Sequence, residues 1–196
     1  MPPTFERFAK YYDRALAPLE RFYFKRLRSE ALSLVPAGGR ILEIGAGTGA
    51  NFEFYPKTAC AIASEISIKM IEIANGKTAT IPLVQADAQS LPFPANNFDA
   101  AFATLVFCSI PRPKLAFAEL IRTLRPGGRL ILLEHVRPDG LLGYVFDFLN
   151  LFSRALIDDH FNRQTAWIAA DAGLELVEVR KMAFGIINLI TCRTKM

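Results

Sequence analysis

The sequence predicts an α/β protein: a mostly parallel sheet with helices on both faces, preceded by a helical extension and closed by an antiparallel strand pair. Three observations carry this. Apolar strand-like runs alternate with segments whose apolar residues recur at helical spacing. The first run dissolves into alternating glycines in "ILEIGAGTGA" (41–50). The last two runs, 174–179 and 188–193, have no helix between them, so they can only be antiparallel neighbours. The chain has 196 residues, 52% hydrophobic and 21% charged, which suits one globular domain with a substantial core.

Taken in order, residues 4–35 read as helical with a break near Pro18, which lacks an amide hydrogen. Residues 41–45 read as a buried strand and "CAIASE" (60–65) as a second. "SIKMIEIAN" (67–75) reads as a helix capped by Ser67, with Gly76 just past its end. "IPLVQAD" (81–87) and "FDAAFATLVF" (98–107) are the third and fourth strands. "PKLAFAELIRTL" (113–124) is a helix that stops at "RPGGR", and "RLILLEHV" (129–136) is the fifth strand. The apolar stretch 141–157 reads as helical. Phe146, Leu149, Phe152 and Leu156 lie near one face of it, while Asp147, Asn150 and Arg154 disfavour a membrane span, so it is either a lid over an apolar pocket or ordinary core. Residues 164–172 form a helix ended by Gly173, with Trp167 expected in the core.

Cys60, Cys108 and Cys192 are far apart among apolar neighbours and are expected to be buried thiols of a reducing compartment. No His/Cys spacing suits a metal. The charged, aromatic start has no signal-peptide core, and no run is long enough to cross a membrane, which points to the cytoplasm. Residues 1–40 carry eight Lys/Arg and four acids, so the net charge of +4 resides in the leader on an otherwise balanced body. No second basic patch or nucleic-acid module follows, so nucleic acid is not an expected partner.

A glycine turn at the carboxyl end of a parallel strand is a nucleotide site in the making. Gly45-x-Gly47-x-x-Ala50, with Glu65 about 20 residues on, satisfies the dinucleotide fingerprint and leaves nicotinamide and sulfonium nucleotides both open. The acids discriminate. Glu43, inside the strand, does nothing for a pyrophosphate but suits the cationic amino group of an aminoacyl sulfonium. Glu65 can accept both ribose hydroxyls, and Asp87 can accept from the adenine amine.

"LEIGAGTGANF", "SEISIKM", "QADAQSLPFPANNFD" and "LRPGGRLILLEH" resemble, in order across residues 41–135, the motifs of class I S-adenosylmethionine-dependent methyltransferases. The resemblance implies a Rossmann-like, seven-stranded, mostly parallel sheet with an antiparallel last strand. It also implies S-adenosyl-L-methionine as cofactor and S-adenosyl-L-homocysteine as product. Carried over by position, Gly45, Ala46, Gly47 and Gly49 approach the methionine moiety, Thr48 and Asn51 belong to the cofactor-binding set, and Glu43 orients the loop or the amine. Glu65, where the family more often has Asp, holds the ribose. Ile66 and Met70 sandwich the adenine, Asp87, Ala88 and Gln89 meet its edge, and Thr104 and Leu105 line the reacting end. The implied organisation is one domain: an N-terminal helical cap (1–36), a cofactor-binding core (37–137), a substrate lid (138–163) and a closing helix with strands (164–196).

The leader "FERFAKYYDRALAPLERFYFKRLRSEAL" resembles that of quinone-biosynthesis methyltransferases and bacterial phospholipid N-methyltransferases, and "FCSIPRPKLAFAELIRTLRPGGRLILLEHV" also resembles small thiol methyltransferases. The implied acceptor is small and lipophilic or membrane-presented: a phospholipid head-group amine or a quinone-type ring, with a thiol as the alternative. The residues agree. Phe5, Phe8, Tyr12 and Phe22 to Phe24 alternate with cations, as in a helix lying in a bilayer interface at the inner face of the membrane, or one that packs its aromatics on its own sheet. A nicotinamide oxidoreductase and a non-catalytic cofactor-binding membrane adaptor remain the readings of another class. His135, at the end of the fifth strand, is the candidate base or substrate contact, Tyr12 could close over cofactor and acceptor, and His160 is expected to orient the chain after the lid.

Overall fold

The structure, a computed structural model, describes residues 13, 14, 17–57, 59–138, 140, 143 and 163–196. Tyr12, His160, Phe5, Phe8 and, apart from Pro138, Gly140, Gly143 and Arg163, the expected lid lie outside the described residues.

Seven strands form one sheet: β1 (Arg40–Ile44), β2 (Cys60–Glu65), β3 (Leu83–Gln85), β4 (Phe98–Thr104), β5 (Leu124–His135), β6 (Glu175–Met182) and β7 (Ile187–Arg193). Their order is β3-β2-β1-β4-β5-β7-β6. β1 pairs in parallel with β2 and β4, β2 with β3, and β4 with β5. β7 runs antiparallel to both β5 and β6, as expected of the last strand. Strand order reverses between β1 and β4, where open α/β sheets place ligands beyond their carboxyl ends.

Among the described residues, four α-helices cover the sheet: α1 (Lys25–Ser33), α2 (Ile68–Asn75), α3 (Pro113–Thr123) and α4 (Thr165–Asp171). Period-two alternation in the strands sends apolar side chains to both faces. Leu42, Ile44, Ala101, Ala103, Leu130, Leu132 and Ile190 meet Phe117 and Leu120 of α3 and Ala169 of α4 on one face. Ile41, Ala100, Phe102, Ile131, Leu133 and Leu189 meet Leu27, Ala31 and Leu32 of α1 on the other. Both layers are fully removed from water at residues such as Leu42 and Leu133, each such side chain contributing about 1.5–3 kcal/mol of transfer free energy.

Local signals explain most boundaries. Pro113 takes the first turn of α3, where its missing amide hydrogen costs nothing. Ser67 caps α2 by accepting from the Met70 amide at 3.3 Å. Gly76 sits at the end of α2 with φ −69°, so the helix closes without the left-handed glycine its position suggests.

Four expectations need correction. Pro18 lies within helical residues 17–19, and the departure from α geometry comes later, as a π turn over Glu20–Phe24. β5 begins at Leu124, not 129, because "RPGG" is absorbed as an irregularity in its pairing with β4. Trp167 is 60% exposed. It stands two residues from both Thr165 and Ala169, the buried positions of α4, and at about 100° per residue that is the outer face. Cys108 and Cys192 are buried, the thiol pKa of the latter pushed up to about 12 by burial, whereas Cys60 starts β2 exposed to solvent.

Candidate functional site

A cleft opens beyond the carboxyl ends of β1 to β4, the place where open α/β sheets bind nucleotides. Its walls include Gly45 and Gly47 after β1, Glu65, Ile66 and Met70 at β2 and α2, Asp87, Ala88 and Gln89 after β3, and Leu105 after β4. Nine of the residues singled out from the sequence therefore share one cavity. Ala46, Thr48, Gly49, Asn51, Glu43 and Thr104 do not line it and form the layer behind.

The glycine loop has its shape for two separate reasons. Gly45 has φ +65°, and a Cβ there would sit 2.6 Å from Cγ1 of Val106. The loop after β1 and the loop after β4 thus touch at van der Waals distance, which only a hydrogen side chain permits. Gly47 has φ +56° and nothing within 4 Å of where a Cβ would stand. That space is the floor of the cleft, so the residue keeps room for a ligand to meet backbone.

Glu65 does more than present a carboxylate. Its Oε2 accepts from the Gly47 amide at 2.9 Å, and its Oε1 accepts from the amides of Ile66 at 2.9 Å and Ser67 at 2.8 Å. A ribose diol bound here would have to share these oxygens, which a carboxylate with about four lone-pair sites permits. Asp87 is held from the other side: Gln89 donates its amide at 2.8 Å and its side-chain nitrogen at 3.0 and 3.1 Å. Gln89 Oε1 in turn accepts from the Arg112 amide at 3.1 Å. The half-buried Ile66 and buried Met70 flank the same pocket, giving apolar faces for a flat ring.

Behind the loop lies a buried polar layer. Glu43 is fully inaccessible and accepts from the Tyr55 hydroxyl and from Nδ2 of Asn51. Burial pushes its carboxyl up to about 7, against the Tyr55 and Asn51 bonds and the Arg28 charge, which lower it, while Glu65 adds to the rise. The same burial, reinforced by Glu43, holds the Tyr55 hydroxyl well above its ordinary value. Thr48 donates to Asp13, which also pairs with Lys77 Nζ at 2.6 Å, so the leader is tied to the glycine loop and to the end of α2.

At the β4 side, Leu105 has φ +59°, a strained value for a bulky residue. Its amide donates to Leu133 O at 2.7 Å, and the next two amides, of Val106 and Phe107, donate to Glu134 Oε1 at 3.1 and 3.2 Å. These bonds over-determine the turn and aim Leu105, Val106, Ile110 and Pro111 at the cleft. His135, half-buried and opposite Ile187 in the β5–β7 ladder, is not among the lining residues. Tyr55, Arg28 and Glu134 escaped the sequence reading. Glu134 alone left a trace, as an acid in the apolar end of β5. No group of three or more metal-ligating side chains occurs among the described residues.

Comparisons with known proteins agree with this geometry. The family profile of a methyltransferase domain matches residues 42–132. The ubiquinone/menaquinone biosynthesis C-methyltransferase UbiE of Pseudomonas fluorescens is 30% identical over 85% of this chain and 76% of its own length. A crystal structure of an S-adenosylmethionine-dependent methyltransferase of Thermotoga maritima, described as a possible histamine N-methyltransferase, superposes with a TM-score of 0.77 at 24% identity, covering 97% of this chain and 98% of that one. Phosphoethanolamine N-methyltransferase 2 of Haemonchus contortus, solved with S-adenosyl-L-methionine, superposes with a TM-score of 0.69 at 18% identity over 86% of this chain and 52% of its own. The nicotinamide reading falls away, and the chain belongs to the class I S-adenosylmethionine-dependent methyltransferases, with relatives among the quinone-biosynthesis enzymes.

Proposed function

We propose that this methyltransferase acts on a small lipophilic acceptor of the quinone-ring type, taken from a membrane surface. The observation that carries the reading is the apolar end of the cleft. Sheet order puts Glu65 and Asp87 beyond β2 and β3, while the opposite end, beyond β4, is walled among the described residues by Leu105, Val106, Ile110 and Pro111, with the Ser109 hydroxyl for polarity. Among the described residues such a wall desolvates a ring well and offers no carboxylate to an ammonium product, which favours a ring over a head-group amine. The relative named for ubiquinone and menaquinone biosynthesis points the same way.

In this reading the cofactor brings the activated methyl, and the protein supplies alignment and exclusion of water. Gly45 and Gly47 let the methionine moiety approach backbone, Glu65 takes the ribose, Asp87 takes the adenine amine, and Ile66 and Met70 hold the ring. Glu43, Asn51, Thr48 and Thr104 act from behind the loop. His135 ends β5 on the ligand side of the sheet but outside the cleft lining, so a part as base requires an acceptor that extends past Leu105 toward β5.

The membrane assignment rests on the segment before α1. Leu19, Phe22 and Tyr23 are 53%, 82% and 38% exposed, and Arg21, Lys25 and Arg26 are exposed beside them. Apolar and cationic groups side by side are what an anionic interface recruits. Among the described residues, no helix is long and apolar enough to cross a membrane.

Incubation of the protein with methyl-labelled donor and separate quinone, phospholipid and thiol pools tests the acceptor. Label in the quinone fraction is the expected result. Label confined to the phospholipid or thiol pool overturns the ring assignment, and label in no pool overturns the lipophilic acceptor altogether.

A further inference from the structure

Arg28 is the one residue among the leader's cations, within the described part, that the fold buries. It is 7% exposed, whereas Lys25 and Arg26 in the same helix face solvent. Helical spacing explains why: Arg28 stands one residue after Leu27 and three before Ala31, both packed on the sheet. Its Nε donates to Glu20 Oε1 at 2.6 Å, and its Nη1 donates to Asn51 Oδ1 at 3.1 Å and to Thr104 Oγ1. Asn51 Nδ2 also reaches Thr104 Oγ1, at 2.8 Å, besides Glu43.

An ion of this size costs several kcal/mol to bury unless its partners restore what water gave it. An apolar side chain would hold α1 on the sheet as firmly and without that cost. The partners say what the charge is for. Asn51 stands at the exit of the glycine loop, and Thr104 is the last residue of β4, next to the strained Leu105. One guanidinium therefore spans the two loops whose faces meet at Gly45 and Val106.

We infer that Arg28 is a positioning residue of the cofactor cleft: by bonding Asn51 and Thr104 together it fixes the glycine loop against the β4 loop and so sets the width of the gap that receives the methionine end of the cofactor. The inference rests on the cofactor reading of this cleft. It makes the leader helix part of the cofactor site without contact with the ligand. Planarity matters, because a fork can serve Glu20, Asn51 and Thr104 at once, while an ammonium serves fewer.

Titration calorimetry of the full chain with S-adenosylhomocysteine, well below the melting temperature, tests this with Arg28→Met, Arg28→Lys and the exposed neighbour Arg26→Met. Expected are a loss of affinity of tenfold or more for Arg28→Met, partial recovery by Arg28→Lys, and a change within twofold for Arg26→Met. Equal affinity of Arg28→Met and wild type overturns the inference, as does an Arg28→Lys as weak as Arg28→Met, which would reduce Arg28 to helix packing. If Arg28→Met does not fold, Thr104→Val, which keeps shape and removes the acceptor, should lose affinity in the same direction, and unchanged affinity there overturns it equally. A wild-type protein that gives no binding heat counts against the cofactor reading itself, whereas wild-type binding matched by the variants counts against Arg28 alone.

Discussion

The backbone amide of Gly47 donates to Oε2 of Glu65 at 2.9 Å, and this bond joins the loop after β1 to the end of β2. The residue assigned to the ribose thus also shapes the loop assigned to the methionine end. Loss of the carboxylate should be felt twice. In Glu65→Gln the new amide group turns donors toward the donors of Gly47 or of Ile66 and Ser67. Hydrogen bonds to a charged group contribute about 1.5–3 kcal/mol each, so S-adenosylhomocysteine affinity should fall by roughly tenfold to a hundredfold in calorimetry. Wild-type affinity in this variant would remove Glu65 from the site.

Gly47→Val places a branched side chain in the open floor of the cleft at φ +56°. The backbone strain costs about 1–3 kcal/mol, which a folded domain tolerates with a lowered melting temperature. The space it fills is the ligand's, so no binding heat should remain while circular dichroism still reports the sheet. Retained affinity would show that the cofactor does not lie over this loop.

Asp87 is aimed by the double grip of Gln89, and its carboxylate suits a donor such as the adenine amine. Wild-type protein should prefer S-adenosylhomocysteine over S-inosylhomocysteine, which carries an acceptor in place of that amine. Asp87→Ala should bind the adenine compound at least tenfold more weakly, by the measure of one charged hydrogen bond, and should lose the preference. A preference that survives the substitution assigns adenine recognition to another residue.

Glu43 predicts a pH dependence of stability. Burial raises its carboxyl from 4.5 to about 7, so folding takes up a proton there. A carboxyl shifted in this direction contributes fully below its unfolded value and loses that contribution as pH rises through its folded value. Melting temperature should therefore drop between about pH 5 and pH 7.5 in the wild type, by more than in Glu43→Gln, which cannot ionise. The difference corresponds to about 3 kcal/mol. Parallel pH profiles for the two proteins would place the titration elsewhere.

Leu19 and Phe22, exposed beside cations, predict vesicle binding. Each apolar side chain inserted into an interface contributes about 1.5–3 kcal/mol. Leu19→Ser combined with Phe22→Ser should cut co-sedimentation with phosphatidylserine vesicles by tenfold or more and leave S-adenosylhomocysteine affinity unchanged. Equal sedimentation of both proteins would reject the interfacial helix.

The strands, α2, α3, α4 and the glycine loop were legible because their signals are local: a period, a cap residue, a proline or a glycine within a few positions. Gly45, Gly47, Glu65, Asp87 and Leu105 could be assigned to one cleft because parallel sheets put every strand's carboxyl end on the same side. The contacts within the layer behind them, and the parts Arg28 and Tyr55 take in it, were not legible. Arg28 and Thr104 are 76 positions apart, and nothing in "KRLRSE" separates the one buried arginine from its exposed neighbours. Tyr55 likewise carries no mark of its bond to Glu43. The left-handed turn at Leu105 contradicts its local preference and exists because Leu133 and Glu134 hold the amides around it. Trp167 failed for the opposite reason, since size suggests burial and helical phase decides it.

The placement of β7 between β5 and β6 has a consequence for biosynthesis. β7, which follows the other described strands in the chain, occupies an interior slot, hydrogen-bonded along both sides. Until the chain through Arg193 has been delivered, β5 presents an open apolar border and β6 has nothing to pair with. From the completion of β5 until β7 is delivered, that border is open to chance partners, and shielding it over this interval is what the sheet order demands.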